Sequence, residues 1–245
     1  GNINIAFGAE LREEKYTKYE GQKESWMAGP WGKVHTLAYD SVGTGTMVNY
    51  GYNAPDLTAS GMPGISPDEA GVFDRQSSAV YTDVEYRLNA LLLQVAGRFE
   101  DFSDFGNTFN FKVAASYAVR NYANLRANFS TGFRAPTPGQ SNYTRVVSSY
   151  DKATGMQVKE GTLKPTDPMS IALGALALDP EESENISVGL TSSYIENLSL
   201  SLDYYSVDIT NKIIKSRSLP VFGDTEFSDL SFYTNALDMK VSGID

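Results

Sequence analysis

Apolar and polar residues alternate along this chain in one short run after another. In NLRANFSTGFRAPTPGQ, residues 124–140, Leu125, Ala127, Phe129, Thr131 and Phe133 share one parity, and Arg126, Asn128, Ser130, Gly132 and Arg134 share the other. Successive side chains of a strand point to opposite faces, so the run predicts a strand that is greasy on one side and polar on the other. Pro136 and Pro138 have no N–H to give a ladder, so the strand is expected to stop at about Ala135. The same alternation sets Ile3, Ile5, Phe7, Ala9 and Leu11 against Asn4, Ala6, Gly8, Glu10 and Arg12. It sets Val80, Thr82, Val84, Tyr86 and Leu88 against Tyr81, Asp83, Glu85 and Arg87. Further runs cover 91–100, 111–120, 184–190 and 198–209, with a last candidate from about Phe232 to the end. A slip of parity near Tyr205–Val207 predicts a bulge there.

The connections are lopsided. Only a few residues separate Leu88 from Leu91, Arg120 from Leu125 and Tyr194 from Leu198. At the other strand ends lie two long segments expected to be irregular, about residues 16–76 and 135–182, and a shorter excursion at about 215–231. EDFSDFGNTF adds a tight turn on that same side, pivoting at Gly106-Asn107. If the strands run up and down, the short turns share one end and the long loops the other. The fold class is therefore all-β, an antiparallel up-and-down meander of about eight strands with long loops at one end.

Composition narrows the partners. Aromatics make up 12% of 245 residues, with 15 Tyr, which suits pleated, half-buried surfaces. There is no Cys, hence no disulfide framework and no thiolate metal site. A net charge of −10 argues against a nucleic-acid partner, since no basic stripe exists to meet phosphates. No run approaches the 18 or so apolar residues of a spanning helix, whereas spanning strands need only about ten alternating residues each. The chain lacks an initiator Met and ends at VSGID in mid-strand, and it reads as an excerpt or processed piece.

The greasy parity faces either a dry core or lipid. Sandwiches spread their loops over both ends, whereas outer-membrane barrels have short turns at one end and long loops at the other. The polar faces mix small residues with charge sets such as Glu10/Arg12, Asp83/Glu85/Arg87 and Arg98/Glu100, as a wet lumen requires. The expectation is a greasy face toward lipid. The alternatives are a soluble β-sandwich carbohydrate-binding module and a passive outer-membrane channel. An outer-membrane lipase-type barrel ranks behind both.

Several strings carry a family resemblance. LQVAGRFEDFSDFGNTFNFKVAASYAV, LRANFSTGFRAPTPGQ, LALDPEESENISVGL, NLSLSLDYYSVDITNKI and TNALDMKVSGID resemble, in order, segments of the barrel of a TonB-dependent outer-membrane receptor. The most specific are Arg98 to Gly106, Gly132-Phe133-Arg134-Ala135-Pro136 and Pro180-Glu181-Glu182-Ser183-Glu184. The resemblance implies a 22-stranded barrel of the bacterial outer membrane, filled by a plug domain. It implies import of a scarce nutrient (an iron chelate such as a siderophore, haem, cobalamin or an oligosaccharide) on energy supplied through TonB. No enzymatic step and no cofactor are implied. No plug sequence is visible, so residues 1–245 are expected to be one partial barrel domain. Its partners would be a small-molecule nutrient, the lipid bilayer, the plug and the remaining strands, with TonB reached only through the plug.

Ligand contact is expected in the long loops and on the upper lumen wall. The first loop holds Trp26, Trp31, His35, Tyr50 and Tyr52. Aromatic platforms suit sugar rings or flat chelates, and they equally suit packing one loop on another. His35 has no second His or Cys to complete a metal or haem site. The second loop offers Tyr143, Arg145 and Tyr150, while Arg134 stands where strand meets loop, expected to be matched by a carboxylate on a neighbouring strand. Asp167-Pro168 before MSIALGALAL marks a short helix or an apolar patch, and Ser66-Pro67-Asp68-Glu69 a capped helical turn. SVGTGT lacks the context of a phosphate cradle, and Asp56, Asp68 and Glu69 match no calcium-loop spacing. Glu181 and Glu182 are expected to be solvated, and the Asn-x-Ser/Thr triplets fall mostly on strands.

Overall fold

The structure, a computed structural model, describes residues 2–27, 37–39, 47–49, 63–120, 122–151, 156–195, 197–222 and 227–245. Strand β1 (Asn2–Lys18) precedes the short pair β2 (Leu37–Tyr39) and β3 (Met47–Asn49). Then come β4 (Gly71–Leu88), β5 (Leu91–Phe102), β6 (Gly106–Val119) and β7 (Ala123–Arg134). The second long connection carries β8 (Arg145–Asp151) and β9 (Met156–Thr162), followed by β10 (Glu181–Ser192) and β11 (Leu200–Lys215). Strands β12 (Leu219–Pro220), β13 (Phe227–Ser231) and β14 (Tyr233–Ile244) complete the chain, with short helices α1 (Lys23–Trp26), α2 (Pro138–Asn142) and α3 (Pro168–Ala172).

Eight long strands form one sheet in the order β1-β4-β5-β6-β7-β10-β11-β14, every neighbouring pair antiparallel. The short turns sit at one end, where Asn89, Arg120 and Asn197 take positive φ of 51°, 53° and 62°. Asparagine tolerates this left-handed region, and one such residue closes a tight turn. At the other end the β5–β6 turn is closed by Gly106 at φ +94°.

The register carries the alternation across strands. Ile3, Tyr86, Leu93, Ala115, Ala127, Val188, Tyr204 and Ile244 form a single cross-strand row. The row beside it runs Ile5, Val84, Val95, Val113, Phe129 and Ile186. These side chains stand in the open: Phe7 is 84% exposed, Ile5 64%, Val95 54% and Val188 51%. Among the described residues no second layer covers this face. The buried apolar residues lie at the loop-bearing end instead, with Leu230, Phe232, Leu163, Ala175, Leu178 and Ile213 packed between loop segments and strand ends.

The second connection is more ordered than its sequence suggested. Strands β8 and β9 join β13 and β12 in a four-stranded sheet of order β12-β13-β9-β8, in which β13 and β9 run parallel. Leu230 is fully buried there against Gly161, where an added Cβ would come within 2.7 Å of the leucine. Helix α3 forms after Asp167, whose side chain accepts from Met169 N, and α2 after Thr137, which makes a capping box with Gln140. The bulge lies at Asn211 (φ 57°), between the Ile209 and Lys212 pairings, and not at Tyr205–Val207. Tyr205 keeps regular register because Gly243 faces it; a Cβ there would lie 2.6 Å from the Tyr205 hydroxyl. The apparent slip was an aromatic side chain on the polar face.

Candidate ligand-facing rim and lumen wall

Arg75 organises the loop-bearing end. It lies on β4 two residues before the β4–β5 ladder starts at Ser77, and its side chain is 2% exposed. Its Nε is 2.9 Å from both carboxylate oxygens of Asp104 in the β5–β6 turn, and an Nη is 2.7 Å from Oδ2. The other Nη lies 3.4 Å from Glu14 of β1, and the guanidinium also donates to the Pro136 carbonyl. The rings of Phe105 and Phe102 lie 5.2 and 5.8 Å from its central carbon and stack on each other at 4.4 Å. One planar cation thus fastens two strands, a hairpin tip and the entry to the second long connection. The sequence signal available was faint: an arginine in FDRQSS, and an aspartate between two phenylalanines in a tight turn.

Arg134 meets Glu181 directly opposite it across β7 and β10, with Nε 2.9 Å from Oε2 and a second bond from Nη2 to Oε1. The same Oε1 accepts from the Ile213 N–H at 2.8 Å. The β10–β11 ladder ends at Glu182–Thr210 and the bulge follows, which leaves that N–H for the carboxylate. Glu181 is therefore buried, with its side chain 8% exposed, whereas its sequence context had suggested solvation; Glu182 is exposed.

A second cluster joins the bases of the two long connections. Lys18, at the end of β1, donates to the Thr144 carbonyl and lies 5.4 Å from the ring centroid of Tyr143. Tyr143 meets Tyr233 edge-on at 6.2 Å, and Arg145 donates to the Pro63 carbonyl. Glu69 accepts from Val146 N and from Ser66 N, each at 2.8 Å, closing the turn at 66–69. Burial lowers the Lys18 pKa and Arg145 lowers it further, while Glu69 opposes both.

The structure so brings Tyr143 and Arg145 together with Lys18 and Glu69, which sequence reading had not connected. It holds Arg134 on Glu181, and places Trp26 apart, its indole donating to the Gly21 carbonyl at 3.2 Å. Tyr150 sits on β8 opposite Gln157. Trp31, His35, Tyr50, Tyr52 and Asp56 lie outside the described residues. Among the described residues no cluster of His, Asp or Glu could hold a metal ion. A cavity of about 400 Å³ beside Arg75 is walled by Phe73, Phe105, Pro136 and Pro138, with Asp74 and Asn142 at its polar edge.

Below this rim the polar face of the sheet is a wall of matched charge. Arg98 lies 2.9 Å from Glu10 and 2.8 Å from Glu100, with its guanidinium 5.5 Å from the Tyr81 ring centroid. Arg126 Nε is 2.9 Å from Asp203 Oδ1. Glycines make room for these groups: a Cβ at Gly189 would lie 1.9 Å from Asp203, and one at Gly8 2.4 Å from Tyr81.

A sheet with one exposed apolar face, an opposite face of paired charges and loops gathered at one end defines a section of a barrel wall. The family model for TonB dependent receptor-like β-barrels matches residues 5–245, and the chain belongs to that family. Comparison with curated protein sequences returned no match. Among solved structures, the chain is similar to the siderophore receptor PirA from Pseudomonas aeruginosa, at 23% identity and TM-score 0.56, over 74% of this chain and 32% of that one. The PirA receptor from Acinetobacter baumannii aligns at 15% identity and TM-score 0.61, over 99% of this chain and 31% of that one. A Q482A mutant of the ferric enterobactin receptor PfeA from Pseudomonas aeruginosa, in complex with enterobactin, aligns at 15% identity and TM-score 0.63, over 99% and 30%. The chain thus spans about a third of the length of the structures it matches.

Proposed function

We propose that this chain is about a third of the barrel wall of a bacterial outer-membrane receptor that captures a scarce nutrient with its loops and passes it through a plugged lumen on energy from TonB. The observation that carries the reading is the exposed apolar face set back to back with a charge-paired one. Val80–Leu88 and Leu91–Phe99 hold the apolar rows, and eight steps of about 3.4 Å tilted by about 40° give a band about 20 Å tall, near the ~25 Å of outer-membrane barrels. The band ends where Ser78, Asp101 and Asn107 take over the same parity. A soluble sandwich would bury those rows under a second layer. In this reading the parent protein performs no catalysis.

Aromatic and cationic loop residues (Trp26, Trp31, His35, Tyr50, Tyr52, Arg134, Tyr143, Arg145 and Tyr150) form the ligand side of the receptor. Arg134 and Arg145 act mainly by fixing the rim through Glu181 and the Pro63 carbonyl. The ligands in the names of similar structures, siderophores and, for a hemophore receptor of Serratia marcescens at 13% identity, heme, set the first probes. The test is equilibrium binding of ferric catecholate, ferric hydroxamate, haem, cobalamin and a maltooligosaccharide to the full-length protein in detergent. Saturable binding of one class, weakened by Tyr143→Ala, is expected. A detergent-free monomer that binds only the sugar would replace this reading with the soluble carbohydrate-binding one.

A further inference from the structure

The negative charge of the chain is gathered at its loop-bearing end. The connection between β1 and β4, residues 19–70, holds six carboxylates against two lysines. The connection between β7 and β10, residues 135–180, holds four charges of each sign. Residues 216–232, between β11 and β14, hold three carboxylates against one arginine. With His35 neutral, these connections together carry −6 of the total of −10, whereas the short turns at the opposite end sum to zero. A ligand approaching the loops meets a negative field, which draws in cations and repels anions.

The cations that the fold gathers at the rim do not reverse this for a ligand. Arg75 is buried and faces two carboxylates, Asp104 and Glu14. Arg134 is held by Glu181, Arg145 donates to the Pro63 carbonyl, and Lys18 is buried on the Thr144 carbonyl. A compact anionic chelate needs several free guanidinium or ammonium groups converging on it, and these four are already engaged.

The cavity of about 400 Å³ beside Arg75 has matching chemistry. No Lys or Arg lines it. Asp74 does, exposed and, among the described residues, without an ion pair; Lys15 stands opposite it in register but does not line the cavity. Phe73, Phe105, Pro136 and Pro138 form apolar walls, and Ser141 and Thr166 add hydroxyls. A carboxylate beside aromatic rings suits an alkylammonium group, whose methylenes cover the walls while its charge meets Asp74.

We propose that the nutrient captured at this rim carries no net negative charge and bears a protonated amine, which sits over Asp74 in this cavity. Resting on the receptor reading above, this narrows the ligand to neutral or cationic molecules. Trianionic ferric tris-catecholates fall outside the class, and so does haem with its two propionates. Both would bring carboxylate or phenolate charge to a rim whose gathered cations are already matched.

The test uses the full-length protein in detergent and equilibrium binding of radioactive iron in three chelates. These are a monocationic ferric trihydroxamate with a free amine, its neutral N-acetylated counterpart and a trianionic ferric tris-catecholate. At low salt the cationic chelate should bind about tenfold or more tightly than the trianion, and about threefold more tightly than the neutral one, as one exposed ion pair allows. Raising the salt should bring the cationic chelate down towards the neutral one. Asp74→Asn should abolish the difference between those two and leave the neutral chelate unchanged, which reports an intact rim. Tighter binding of the trianion or of haem would overturn the proposal and leave the receptor reading in place. So would an advantage of the amine that survives in Asp74→Asn, or binding of cobalamin or a maltooligosaccharide alone, since neither carries a protonated amine. Binding of none of these ligands would instead remove the receptor reading itself, and this inference with it.

Discussion

Replacing Arg75 by Met should loosen one corner of the molecule and leave the sheet intact. The guanidinium is 2% exposed and makes three contacts of 2.7–2.9 Å with Asp104, plus bonds to Pro136 and Glu14. Breaking a buried ion pair costs about 3–5 kcal/mol when the remaining charge stays buried. Here Asp104 and Glu14 are 36% and 31% exposed, so both carboxylates regain water and the loss falls to about 2–3 kcal/mol. Methionine keeps the apolar contact with Phe102 and Phe105, which isolates the polar contribution. The expected result is faster amide hydrogen exchange in the hairpin tip at 103–106 and the segment 137–142, by roughly 30- to 150-fold, with protection of the lower β5–β6 ladder unchanged. Arg75→Lys should recover little, because an ammonium cannot span both Asp104 oxygens. A change below threefold, or one spread evenly over the sheet, would refute the assignment of Arg75 as the clasp.

Gly189→Ala should place a methyl 1.9 Å from Asp203 Oδ1 and displace the Arg126–Asp203 pair, with a small loss of stability because that pair is solvated. Asp203→Asn should then add nothing in the Gly189→Ala background while destabilising the parent, and additive losses in chemical denaturation would count against the contact. Burial holds the Lys18 pKa below its ordinary value of 10.5, so the unfolded chain binds the proton more tightly and stability rises with pH between the depressed value and 10.5. Melting temperatures of parent and Lys18→Met, compared from pH 8 to 10, should diverge in the parent's favour; a constant difference would contradict the burial account.

The strands were legible because both their faces have a defined environment, and a period of two survives across eight of them. Short turns were legible for a similar reason, since Asn89 and Gly106 advertise the backbone their positions require. The sheet of β8, β9, β12 and β13 was not. Its segments show little alternation, and the parallel β13–β9 pairing joins residues such as Ser231 and Thr162 that are distant in sequence. Tyr205 misled for the opposite reason: its partner Gly243 is what seats it on the polar face, and a strand read singly cannot reveal its partner. Within the site, Arg134 was found beside a strand end and its carboxylate partner expected, while Lys18 and Arg75 were passed over and Glu69 was read only as part of a capped turn, without its bond to Val146. Their roles depend on carbonyls and turns brought together by the tertiary fold, and nothing in the local residue pattern encodes those contacts.

The central claim is that the exposed apolar rows face lipid, and nitroxide labels placed singly along β5 from Leu91 to Phe99 test it most directly. With the full-length protein reconstituted in phospholipid vesicles, oxygen accessibility should peak at 91, 93, 95, 97 and 99, and accessibility to a polar nickel chelate at 92, 94, 96 and 98. Uniform chelate accessibility at both parities, or low oxygen accessibility at 93 and 95, would contradict the account and return those residues to a dry protein core.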